Sequence, residues 1–406
     1  MQDFINYKYE QITIIMKKKF LLFSLIGLVA LSGCKKGDPE VTTDKEAALQ
    51  RAMKPYVENT VIATYSAMAD EGLVLLDKCQ QIFDAVQNER TDYGQTIEEA
   101  CVAWRAMRKH WEQSEAFLFG PAAAHNIDPH IDSWPLDFNQ MNALLKNVGQ
   151  MADIEENGVD YVKSCLGYAL QGFHACEYML FESVEKEGRA VGTGKPHKAN
   201  LSKAEAAYLL GVVEDLVQQT ILLEDSWAGS VSEQKAAVIM DGDESMSYGE
   251  NYGDYMVNAG KAGSIYKSYQ EAAEEIIAGC VDIAGEVADL KMGNPYISST
   301  PDQRDYIESP YSCTSTIDFA DNIRSIRHAY CGAQAGDYAI SNYIYQQDAD
   351  LDGKVRKAID ASIAAIEAIE DFENTAKDNA KVKAAIDQVS ELEGLLDDEV
   401  LPLLSK

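Results

Sequence analysis

The segment Gly172-Phe173-His174-Ala175-Cys176-Glu177 lies inside an apolar run from Val162 to Phe181. Residues three apart on a helix sit side by side, so His174 and Glu177 project from one face. An imidazole and a carboxylate withdrawn together from water are costly unless something pairs with both. A bound cation is one such partner. A plain His–Glu hydrogen bond is the other, and the spacing does not choose between them. Read as one continuous helix, the run puts Gly167, Leu170 and Phe181 on the same stripe.

A second constellation lies upstream. Along Ala103 to Phe119, a helical stripe collects Trp104, Arg108, Trp111, Glu115 and Leu118. Two tryptophans and a leucine mark an inward face, and charges on such a face are rare unless paired or functional. Arg108 and Glu115 therefore belong either to an internal ion-pair network or to a site. In the second reading Glu115 is a third ligand beside His174 and Glu177, and Arg108 steers an anion or orients a carboxylate. The loop from His125 to Asp137 adds two histidines and three aspartates. Such a set can ligate metals, but polar loops with proline are also common, and Asp137 is placed to cap the helix that follows Pro135.

In the second half, Tyr311 to Ser315 leads into a helix whose core stripe is Phe319, Ile323, Ile326 and Tyr330. Asp318, Asn322, Ser325 and Ala329 form a small polar stripe beside it. Ser315 and Asp318 fit a variant capping box, or the polar stripe faces the other half of the molecule across a cleft. Asp348 to Gly353 resembles the opening of an EF-hand loop, but Ile359 stands where the bidentate glutamate belongs, so it reads as an acidic helix start. There is no His-Glu-x-x-His helix, no Gly-x-Ser-x-Gly elbow and no phosphate loop.

Helices have to position these groups. Alanine, leucine, glutamate and lysine recur at helical spacing and strand signals are nearly absent. Helices are expected near 46–87, 96–119, 136–149, 158–183, 203–228, 260–291, 316–332, 336–347, 352–375 and 379–402. The two halves look alike in plan, which predicts an all-α fold of two duplicated helical bundles. The boundary is expected between about Ala228 and Tyr248, with the Gly/Asp/Ser/Tyr-rich stretch Asp241 to Asp254 as a loop between domains, giving bundles over 46–230 and 231–406.

The front end reads differently. Lys17-Lys18-Lys19 precedes an apolar core, Phe20 to Leu31, too short for a bilayer span of roughly 20 residues. This is the layout of a secretory signal over residues 1–33. It ends in Leu31-Ser32-Gly33-Cys34, which resembles a bacterial lipobox, so Cys34 is the expected lipidation site and residues 34–45 a flexible tether. The reading places the protein in the cell envelope, on the periplasmic face of the outer membrane or the cell surface. The formal charge of −31 argues against nucleic acid and against an anionic membrane surface as partners. Eight cysteines include Cys34. The rest are expected to be mostly small core residues, with Cys79–Cys101 or Cys313–Cys331 as possible disulfides.

Taken together, these residues resemble the imelysin family of bacterial envelope proteins, whose signature is Gly-x-His-x-x-Glu, here Gly172, His174 and Glu177. Trp104 with Arg108, Gln113 to Phe117, Gly120-Pro121 and Trp134 to Asp137 agree with the flanking pattern. Tyr311, Ser312, Ser315, Asp318, Phe319, Asn322, Tyr330 and Gly332 agree with the C-terminal one. The resemblance implies a two-domain helical fold with the His/Glu motif at a cleft between bundles. Gly172, Arg108, Trp104, Trp134, Asp137, Ser312, Asp318 and Asn322 are then candidates to line that cleft. It also implies a metal-related role, often linked to iron acquisition, and carries a metallopeptidase label for which the chain shows no further catalytic machinery.

Three functions follow as expectations. One is a lipid-anchored protein that binds a metal ion or small metal chelate through His174, Glu177 and Glu115. Hard oxygens with one imidazole suit divalent or ferric ions such as iron or zinc better than copper(I). The second is a metal-dependent peptidase, and the third a binding or scaffold module in which the pair is a core hydrogen bond.

Overall fold

Helical periodicity is realised along nearly all of the chain that the structure describes. The computed structural model describes residues 44–186, 189–197 and 200–406; Cys34 and the signal-like segment lie outside them. The first rod runs through the helix Asp44–Pro55, a π-turn at Tyr56–Ile62 and the helix Ala63–Gln87. Pro55 has no N–H to donate, so the ladder is interrupted there and resumes with a wider turn. The other two π-turns, Glu286–Met292 and Leu395–Val400, also adjoin prolines, Pro295 and Pro402.

The helices Ala63–Gln87, Gly94–Glu112, Val148–Cys165 and Lys203–Ala228 pack on one another. The central Lys203–Ala228 helix is long and apolar and is mostly buried in the core. It begins at a capping box formed by Ser202 and Glu205 and stops at Gly229, whose φ of 76° is the left-handed end that glycine permits. Downstream, the helices Tyr269–Gly285, Ser315–Cys331, Ala349–Glu367 and Ala380–Gly394 form a second packed group. The groups touch directly: Ser315–Cys331 lies on Gly94–Glu112, and Tyr269–Gly285 on the short turn Glu115–Phe117. The apolar core runs through both, and the described residues form one compact unit.

The all-helical expectation holds, with local corrections. The helix expected over 158–183 is broken. It ends at Cys165, crosses an irregular stretch and restarts as Gly172–Leu180. Gly167 and Gly172 are the breakers, so Gly167 and Leu170 do not share the His174 stripe. Past Leu180 the chain turns into an antiparallel hairpin, Phe181–Lys186 with Arg189–Pro196, where a helix end and a loop were expected. The polar stripe of Ser315–Cys331 does not face a cleft but packs on the first group. Asn322 donates to Glu112 Oε2 at 2.6 Å, and Ser325 Oγ accepts from Ala116 N–H at 3.0 Å. No Ser315–Asp318 box forms; Ser315 Oγ accepts from Ser309 N–H instead. Asp348 caps its helix by accepting from Leu351 N–H, as the acidic-start reading holds. Among the described residues every cysteine is free, so neither possible disulfide forms.

Candidate metal centre

The signature begins with glycine for a geometric reason. Gly172 has φ of 70°, and a Cβ there would stand 2.1 Å from the carbonyl oxygen of Ile131. Only glycine lets the Ile127–Ile131 turn lie against the start of the Gly172–Leu180 helix. That approach delivers Asp132, the next residue, to His174. The preceding residue helps: Gln171 donates to the carbonyls of Val162 and Leu166, at the end of the broken helix where carbonyls run short of partners.

His174 and Glu177 then stand as the spacing requires, but in the interior, with side chains 1% and 0% exposed. Glu177 Oε2 lies 3.3 Å from His174 Nδ1. Its Oε1 accepts from Tyr311 N–H at 3.0 Å and from the N–H and hydroxyl of Ser312, both at 2.7 Å. The hairpin holds that loop: Gly194 N–H donates to Tyr311 carbonyl, and a Cβ on Gly192 would collide with Pro310. Oε1 is thus filled, and Oε2 fixes the imidazole so that Nε2 points onward.

Nε2 lies 3.0 Å from Asp132 Oδ1, off line for a hydrogen bond, and has no other partner. Asp132 also accepts from Trp111 Nε1 at 2.7 Å and pairs with Arg108. Arg108 reaches Glu112 at 2.6 Å and Glu308 at 2.7 Å, and its guanidinium sits over the Phe173 ring. Lys291 Nζ adds a 3.1 Å contact to Glu308 Oε1. Glu308 Oε2 is buried without a partner. Ligand atoms of Asp132, His174 and Glu308 lie within 4.8 Å of one another, as do those of Glu112, Glu115 and Asp132.

The charges do not balance. Glu112, Glu115, Asp132, Glu177, Glu308 and Asp318 outnumber Arg108, Lys291 and His174. Titration responds accordingly. Burial pushes Glu308 up to about 7 against the pull of Lys291. Burial likewise raises Glu115 and Asp318, with Glu112 adding like-charge repulsion to both. Burial opposes the imidazolium of His174, but the Asp132 and Glu177 carboxylates outweigh it and lift the group to about 9. Asp132 goes the other way: burial opposes its charge, yet Arg108 and His174 hold it well below the usual carboxylate range. A buried excess of carboxylate with an orphaned donor atom is what a cation relieves.

Of the residues expected as ligands, His174 lies inside the carboxylate cluster and Glu177 stands behind its imidazole. Glu115 falls on the short turn after the helix has ended at Glu112, half-buried in the neighbouring acid group. Arg108 orients carboxylates. Trp104 donates to Phe173 carbonyl at 3.1 Å and packs on Phe181. Trp134 lies under Lys291 and against Tyr306. Ser312 holds Glu177, Asp318 accepts from Ser309, and Asn322 holds Glu112. Asp137 caps the Phe138–Lys146 helix through Asn139 and Gln140 N–H, so it stays out of the cluster. Asp132, Glu112, Glu308 and Lys291 were not singled out. Asp132 sat in the flagged loop, and Glu112 is one turn beyond Arg108 on its helix. Nothing local marks Glu308 or Lys291.

A helical protein built around a buried histidine–carboxylate cluster, hung from a Gly-x-His-x-x-Glu turn, is the class that the fold and site define. The chain belongs to the imelysin family: the family profile, imelysin (peptidase M75), matches residues 61–397. It is 25% identical over 362 residues to iron-regulated protein A of Synechococcus elongatus, covering 87% of this chain and 86% of that one. A crystal structure assigned as an iron-regulated protein A precursor from Parabacteroides distasonis has a TM-score of 0.72 at 25% identity, over 90% of this chain and 97% of that one. An imelysin-like protein from Psychrobacter arcticum has a TM-score of 0.63 at 12% identity, over 91% and 98%, a likeness of fold.

Proposed function

We propose that this is a cell-envelope protein, lipid-anchored at Cys34, that binds one metal ion through His174 Nε2, Asp132 and Glu308. Glu177 orients the imidazole, and Glu112 and Glu115 supply further negative field. The observation that carries the reading is a buried Glu308 Oε2 without a hydrogen-bond partner beside a His174 Nε2 that meets only Asp132 Oδ1, off line, inside a carboxylate excess. Two carboxylates and one imidazole form a hard, borderline donor set that suits iron, manganese or zinc. The names of the Synechococcus and Parabacteroides relatives favour iron among them. Binding is favoured over peptide cleavage because Glu177 already accepts three protein donors and the cluster is shut away from a polypeptide chain.

Elemental analysis of protein purified without chelator tests this. The expected result is one metal per chain, lost in His174→Ala and in Glu308→Gln while both variants keep the helical circular dichroism of the parent. Equal metal content in all three proteins overturns the reading.

A further inference from the structure

Lys291 stands where a bound cation would be least welcome. Its side chain is 1% exposed, and among the described residues it is held by one hydrogen bond to Glu308 and by the face of Trp134, 5.1 Å from the ammonium. Arg108, the other permanent charge, is locked among Asp132, Glu112 and Glu308 and over Phe173. A guanidinium held at several nitrogens is a fixture; an ammonium on a four-carbon stem with one acceptor can leave. Lys291 also rises from the π-turn Glu286–Met292, a widened turn of the sort that places residues at functional sites. Glu115 stands on the turn Glu115–Phe117, half-buried, with a carboxylate oxygen within 4.8 Å of those of Glu112 and Asp132, and offers somewhere to go.

Resting on the metal-binding reading above, we infer that Lys291 is an internal counter-cation, displaced from Glu308 toward Glu115 when a metal ion binds, and that this exchange keeps binding reversible. A metal ion on Glu308 would stand within about 5 Å of the undisplaced ammonium, close enough for strong repulsion in a low-dielectric interior. Loading therefore requires the amine to move, and the return of the amine helps to expel the metal. The protein then holds its ion weakly enough to pass it on. Removing the amine turns a carrier into a trap.

Titration calorimetry with manganese(II) on the full chain measures this. Lys291→Met and Lys291→Gln are expected to bind at least about 10-fold tighter than the parent, with slower release to a chelator. A measurement on the unaltered protein covers the case in which the variants fold poorly. Amine acetylation mapped by mass spectrometry should modify Lys291 little in metal-free protein and several-fold more after manganese(II) is added. Binding that is equal or weaker in both folded variants overturns the exchange, as does acetylation that does not rise on loading. A parent chain that takes no manganese(II) and no iron(II) overturns the metal reading as well, which separates the two failures.

Discussion

Two buried charge clusters in this molecule obey opposite rules. Around Lys235 everything is matched. The ammonium, 4% exposed, meets Asp70 and Glu224 at 2.8 Å each, and Ser66 carbonyl and hydroxyl at 3.0 and 3.1 Å. It ties the short Glu233–Val238 helix to the central Lys203–Ala228 helix and to the Ala63–Gln87 helix, and nothing in it calls for a ligand. Around His174 the acids exceed the bases, Glu308 Oε2 has no hydrogen-bond partner, and His174 Nε2 meets Asp132 only off line. Burial of charge is common to both. Imbalance with an orphaned atom distinguishes the second, and it separates a structural clasp from a place that receives a cation.

The largest expected effect tests the clasp. Lys235→Met leaves Glu224 charged and nearly buried without its partner, a loss of about 3–5 kcal/mol for breaking such a pair. Denaturant unfolding should show this loss, and metal content should not change. A variant that unfolds like the parent, or loses its metal, would break the contrast between the two clusters.

The next effect is the pH dependence that the His174 cluster contributes. Glu308 is raised from its ordinary range to about 7, so the native state holds a proton that the unfolded chain releases. Stability from it is present below the unfolded value near 4.5 and is lost as pH rises through 7. His174, raised to about 9, contributes stability that is full below about 6.5 and lost as pH rises through 9. The two signs agree. Chelator-treated protein should melt at falling temperature from pH 5 to pH 9, and manganese(II) should flatten the slope by supplying the missing positive charge. A melting temperature that climbs over this interval in metal-free protein would show that the acid excess is compensated in some other way.

The sequence yielded the helices readily, since their apolar period and their breakers are local signals. The Lys203–Ala228 helix is bounded by Ser202 and Gly229 as the pattern predicts. It misled where glycine acted twice. Gly167 and Gly172 sit in an apolar run that reads as one helix, and only the close approach of Ile131 explains why the second must break it. His174 was legible because its partner lies one turn away. Glu308 and Lys291 reach the same cluster from more than a hundred residues downstream, through tertiary packing that no spacing encodes. Glu177 has the spacing of a ligand, and only the Tyr311–Ser312 loop, folded against it by the hairpin, shows that Oε1 already takes three donors while Oε2 faces the imidazole.

The smallest expected effect sharpens the boundary of the cluster. Asp137 shares a loop with Asp132, and its place after Pro135 marks it in sequence as a helix cap as well as a ligand candidate. In the structure one carboxylate accepts Trp111 Nε1 and faces His174, while the other accepts the N–H groups of Asn139 and Gln140 at the start of a helix. Asp137→Ala should therefore cost about 1 kcal/mol, the usual value of a lost N-cap, and leave metal binding intact. Calorimetric titration beside a denaturation curve distinguishes the outcomes. A drop in metal affinity larger than the drop in stability would extend the site along the loop and make Asp137 part of it. Unchanged affinity would confine it to the point where Gly172 lets the Ile131 backbone come close.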